Sequence, residues 1–154
     1  MVQQSFDRTQ DANLIFTAGA TVTASGAIGS VVDLGGAGGH SQFDIVFDVT
    51  ACDVGDGDES YTVLVQVADG ATFASATNVI AVAAIRFGHS SKLGLNATDN
   101  VTTGRYILSA HNFGYTTAGD AGTGTYFRYV RLVLDASNST SPSITLSAWA
   151  SKRQ

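Results

Sequence analysis

The stretch "FDIVFDV", residues 43–49, puts Phe43, Ile45, Phe47 and Val49 on one side of an extended chain and Asp44 and Asp48 on the other. Successive side chains leave opposite faces of a pleated strand, so this alternation predicts a strand with one face in a core. The pattern recurs in both directions from it. "SYTVLVQVAD" sets Tyr61, Val63, Val65 and Val67 against Thr62 and Gln66. "YFRYVRLVLDA" sets Val130, Leu132 and Leu134 against Tyr129, Arg131 and Asp135, and "SITLSAWAS" sets Ile144 and Leu146 against Thr145 and Ser147. Further strands are expected in "NLIFTA", "IGSVVDL", "NVIAVAAIRF" and "RYILSAHNF". The alanines of "NVIAVAAIRF" would also suit a short helix. Glycine-rich and serine-rich breakers lie between these segments, among them "GGAGG" at 35–39, "VGDGD" at 54–58, "TAGDAGTGT" at 117–125 and "SNSTSPS" at 137–143. About eight short strands with turns between them and no helical period predict an antiparallel β-sandwich or barrel. Residues 1–12 are polar and read as a flexible arm, leaving 13–154 as one β domain.

Composition narrows the function. The chain has 154 residues, enough for a core without metal or disulfide support. Only 14% of residues are charged, against about 25% in ordinary domains. Gly, Ala, Ser and Thr take the place of Lys and Glu, so covering such a surface with a partner costs little side-chain entropy. A net charge of -5 and the lack of any basic run argue against a nucleic-acid partner. Cys52 is the sole cysteine and forms no intrachain disulfide. The opening "MVQQSFDRTQDAN" lacks the apolar region of a secretory signal, and no apolar run reaches the ~18 residues of a membrane span. The expectation is a soluble protein made in the cytoplasm, with no membrane partner.

"CDVGDGDES", residues 52–60, concentrates Asp53, Asp56, Asp58 and Glu59 between two of the clearest strands. An EF-hand loop needs oxygen ligands at alternate positions, a central Gly and a Glu at the twelfth. Counted from Asp53, Gly55 stands where a ligand should be, and no Glu falls at the end. The stretch therefore reads as a solvated hairpin tip, with cation binding by Asp53, Asp56 and Asp58 left open. Paired carboxylates for glycoside chemistry would need a groove that a glycine-rich tip does not supply. His40, His89 and His111 are scattered, no G-x-S-x-G elbow is present, and "GGAGGH" lacks the G-K-[ST] ending of a phosphate loop. No catalytic group, metal or cofactor is expected, and the chain does not read as an enzyme. Asn96, Asn100 and Asn138 open glycosylation triplets that are incidental in a chain so rich in Ser and Thr.

Arg128 and Arg131 are offset by three and should lie on opposite faces of one strand. Arg128 would share its face with Val130, Leu132 and Leu134. It then either lies at the sandwich edge as an exposed strand-end guanidinium or pairs with a buried carboxylate, with an inter-subunit salt bridge as the further reading.

The order of segments resembles a known family. A polar arm leads to "SVVDLGG", then to an alternating strand pair around an acidic tip and to "VQVADGATFASATNV". "RYVRLVLDAS" and a final strand complete the series. This is similar to the capsid cement, or decoration, proteins of tailed bacteriophages, most like the Bordetella podophage type. Residues 87–104 and 114–126 are longer than that pattern. The resemblance implies a jelly-roll β-sandwich on the outer surface of an icosahedral head. It would bridge major capsid proteins as a homodimer or homotrimer and stabilise the expanded shell. Phe6 and Arg8 in the arm, Arg128, Arg131 and Trp149 are then the candidate interface residues. The alternative is a carbohydrate-binding sandwich of a tail fibre or receptor-binding protein. Its stacking platforms would have to come from Trp149, Tyr115 and Tyr126.

Overall fold

A computed structural model describes residues 14–35, 42–74, 79–94, 100–115, 124–137 and 139–152. Each of the eight expected strands is present among them: β1 (Ile15–Val22), β2 (Gly26–Asp33), β3 (Gln42–Cys52), β4 (Ser60–Ala68), β5 (Val79–Gly88), β6 (Gly104–His111), β9 (Tyr129–Asp135) and β10 (Ile144–Lys152). A short pair, β7 (Phe113–Tyr115) and β8 (Gly124–Tyr126), and one helical turn, α1 (Ser90–Leu93), are additional. The ambiguous alanine-rich segment is a strand. Its whole length pairs with β4, from Val79 opposite Ala68 to Gly88 opposite Ser60, and that ladder outweighs the helical preference of its alanines.

The strands form two four-stranded antiparallel sheets, one in the order β1-β10-β3-β6 and the other β2-β9-β4-β5. The pairing is nested: β1 with β10, β2 with β9, β3 with β6, β4 with β5. Pairs β10·β3 and β9·β4 then join the nested couples into sheets. The two sheets pack as a sandwich. Phe43, Ile45, Phe47 and Val49 of β3 face Tyr61, Val63, Val65 and Val67 of β4 in one core, with Val130, Leu132, Leu134, Ile144 and Leu146. These are the faces that the alternation selects. Phe47 meets Phe87 edge-on with centroids 6.1 Å apart, and Phe87 meets Tyr106 at 5.1 Å. Such contacts add to the apolar area that each ring removes from water.

The acidic stretch is not a hairpin tip. β3 belongs to one sheet and β4 to the other, so residues 53–59 cross between sheets at one end of the sandwich. Alternation decides which face of a strand is buried, but not which strand lies beside it. That choice is made by strands far away in sequence.

Candidate functional site

Arg128 sits just before β9, with Asp33 at the end of β2 close by. Its Nε and Nη2 donate to the two Asp33 carboxylate oxygens at 2.8 and 2.6 Å, and its guanidinium lies 5.3 Å from the centre of the Tyr129 ring. The pair is half-exposed on both sides and closes the β2–β9 corner within one chain. Arg131 lies on the outer face of β9, the face of Tyr129, donating to Gln66 Oε1 at 2.9 Å with its Cζ 4.4 Å from the Phe73 ring centre. Arg128, placed before the strand begins, reaches Asp33 and Tyr129 on that same side, so the two are not on opposite faces of one strand. Both guanidinium groups are thus engaged inside the chain. Phe6 and Arg8 lie outside the described residues, as does the proposed arm.

Trp149 points away from the core, on the outer face of the β1-β10-β3-β6 sheet. The register aligns Ile15, Trp149, Val46 and Ile107 across all four strands as one apolar row. Ile107, on the edge strand, is 52% exposed, whereas Val46 and Trp149 are buried. Beside the row, Arg105 donates to both oxygens of Asp48, at 2.6 and 2.7 Å, and its guanidinium lies 5.6 Å from the Trp149 ring centre. Those hydrogen bonds hold the Asp48 carboxyl below the usual carboxylate range. On the other side of the row, Ser109 donates to Asp44 at 2.6 Å, and Asp44 is fully buried although it faces outward from the core. Polar residues at alternate positions of β3 were legible in the sequence. Their partners on β6 were not, since nothing local pairs residue 48 with residue 105.

The connection 53–59 is held by three other segments. Gly55 N–H donates to Asp53 Oδ1 at 3.0 Å, and Tyr61 Oη donates to the Asp53 carbonyl at 2.9 Å. Asp58 Oδ2 accepts from both the backbone N–H and the hydroxyl of Thr140, at 3.2 and 2.7 Å, which ties the loop to the β9–β10 connection. His89 N–H donates to the Glu59 carbonyl at 3.0 Å, and Ser91 Oγ donates to the Gly57 carbonyl at 3.2 Å. Glu59 itself is 0% exposed, with Oε1 accepting from Asp56 N–H at 2.9 Å. Carboxylate oxygens of Asp56, Asp58 and Glu59 lie within 4.8 Å of one another. Among the described residues, no other trio of His, Cys, Asp or Glu is gathered closely enough to hold a metal ion. Asp53 is not part of it. Burial, reinforced by the charges of Asp53 and Glu59, pushes the neighbouring Cys52 thiol up to about 11.

The histidines do not converge with this trio as ligands. His89 caps α1 by accepting from Ser91 N–H at 3.3 Å, His111 accepts from Phe113 N–H at 3.3 Å, and His40 lies outside the described residues. No family model matches the chain, and no curated protein is similar to it in sequence.

Proposed function

We propose that this chain is a structural protein of a virus particle, a capsid cement or decoration protein that binds the outside of an icosahedral phage head. The observation that carries the reading is the nested strand order, first with last and second with second-last, across two facing four-stranded sheets. We read this order as that of a jelly roll, an architecture used by viral capsid domains and by lectins. Fold alone does not choose between those uses. The surface favours the first. A lectin platform needs an open aromatic face, and the Trp149 indole is only 7% exposed, with Arg105 beside it. Tyr126 is 37% exposed, but its ring is tilted against Phe113 with centroids 5.2 Å apart.

In this role the protein needs rigidity and area rather than chemistry. A sandwich with few charges offers broad, low-entropy contact surface. A dimer or trimer would engage several capsid subunits at once and gain avidity beyond any single contact. The partners are the major capsid protein and further copies of this chain. The test is quantitative mass spectrometry of purified particles, with this chain counted against the major shell protein. Comparable numbers support the reading. A few copies per particle would move the protein to the tail and favour receptor binding, and absence from particles would overturn both.

A further inference from the structure

We propose that Asp56, Asp58 and Glu59 form a calcium site that locks one end of the sandwich. Clustered acids alone would not indicate a site, since exposed acidic turns are common. Two particular oxygens here are in a state that a cation would relieve. Glu59 is 0% exposed, and its Oε2 is buried with no hydrogen-bond partner. Asp58 Oδ1 is buried and unpartnered in the same way. A desolvated carboxylate oxygen without a donor is among the costliest groups a fold can carry, and a bound ion is one of its standard explanations.

Neighbouring donors do not relieve it. Among the described residues, no Lys, Arg or His forms an ion pair with any of the three carboxylates. The nearby Arg86 spends Nη2 on Ser60 Oγ and the Lys92 carbonyl, at 3.1 and 3.3 Å. A further buried and unpartnered oxygen, Ser90 Oγ, lies in the turn whose His89 N–H holds the Glu59 carbonyl. So three of the four such polar atoms among the described residues belong to this loop or to the turn bonded to it. Three like charges at this spacing repel unless something positive sits between them.

The donor set selects the ion. All candidate ligands are oxygens, which suits a hard cation rather than zinc. Oxygens that share one calcium at about 2.4 Å lie at most about 5 Å apart, and the trio falls inside that limit at 4.8 Å. Asp56 is exposed, which leaves room for water ligands on that side. The connection does not follow the EF-hand spacing, because its ligands need not come from one regular loop. Two of them are placed from outside: Asp58 by Thr140, and the Glu59 backbone by His89. A bound ion would therefore pin the β3–β4 crossing to the β9–β10 connection and to the end of β5.

The experiment uses the full chain, freed of metal with a chelator and titrated with calcium chloride by calorimetry, together with thermal melting. The expected result is one-to-one binding and a melting temperature raised by about 4 °C or more in about 1 mM calcium. Glu59→Gln and Asp58→Asn should each weaken binding by about tenfold or more. Asp69→Asn, in an exposed turn elsewhere, should leave it unchanged. No heat and no melting shift in the unaltered chain would overturn the proposal, and so would undiminished binding in both variants. If a variant fails to fold, the titration of the unaltered chain decides by itself.

Discussion

Tyr61 is completely buried, yet its phenol oxygen is fully employed: it donates to the Asp53 carbonyl at 2.9 Å and accepts from Ser143 N–H at 3.0 Å. Phenylalanine would keep the ring in the core and leave both backbone groups without that partner. Tyr61→Phe is therefore expected to lower unfolding stability by about 1–3 kcal/mol, measured by urea denaturation. Cys52 supplies a pH dependence. Its folded thiol titrates near 11, above the ordinary value of 9.0. Between those limits the unfolded chain loses the proton and the folded one keeps it, so stability is fully present below about 9 and falls as pH rises toward about 11. The urea midpoint of the unaltered protein should decline over that window, and Cys52→Ala should decline less steeply. Tyr61, whose own pKa is raised chiefly by burial, adds to the slope in both proteins. At this scale the sequence showed an acidic cluster and placed Asp53 in it. That Asp53 is turned to a local Asx contact with Gly55 N–H instead, and that Glu59 is enclosed by segments about thirty or more residues distant, Gly88 to Ser91 and Ser139 to Thr140, came only with the structure.

Among elements, the end of β5 shows how closely the acidic connection is held. A side chain on Gly88 would place its Cβ 2.3 Å from the Glu59 carbonyl oxygen, at a φ of +134° that L residues rarely adopt. Gly94, which ends α1 at φ +71°, has open space around it. Gly88→Ala should cost about 3 kcal/mol or more, while Gly94→Ala should cost about 1 kcal/mol from backbone strain alone. Comparing the two by thermal melting separates close approach from conformation. The eight strands themselves were legible, β3, β4, β9 and β10 from local alternation and the others as short apolar runs between breakers. β7 and β8 were not foreseen as a separate pair. The expected continuous strand 126–136 is interrupted where Asn112 Nδ2 donates to the Phe127 carbonyl at 2.9 Å and Phe127 N–H donates to the Asn112 carbonyl at 2.8 Å. Residues on either side of that clamp then pair with different strands.

For the whole molecule, the nested pairing joins the first described strand to the last. Stability should therefore reside in the shared core rather than in any one hairpin. Leu132, at the centre of β9, is fully buried, and Leu132→Ala should cost about 2–5 kcal/mol by the cavity it leaves. Ile107, 52% exposed at the sheet edge, should tolerate alanine within about 0.5 kcal/mol. If Ile107 contacts a partner in an assembly, the same change would show there and not in the isolated chain. Denaturant titration of both variants checks the contrast.

Read by itself, the sequence determined the fold class, the inward faces of β3, β4, β9 and β10 and the scarcity of charge, since all three depend on residues at spacing two or on composition. The tertiary structure alone decided which strands are neighbours, and with that whether residues 53–59 turn a hairpin or cross between sheets. It alone brought Thr140 and His89 to the acidic connection and enclosed Glu59. The reason is physical. A strand's period-two pattern encodes what it buries, whereas the partners along its edges bond through backbone groups that every residue shares.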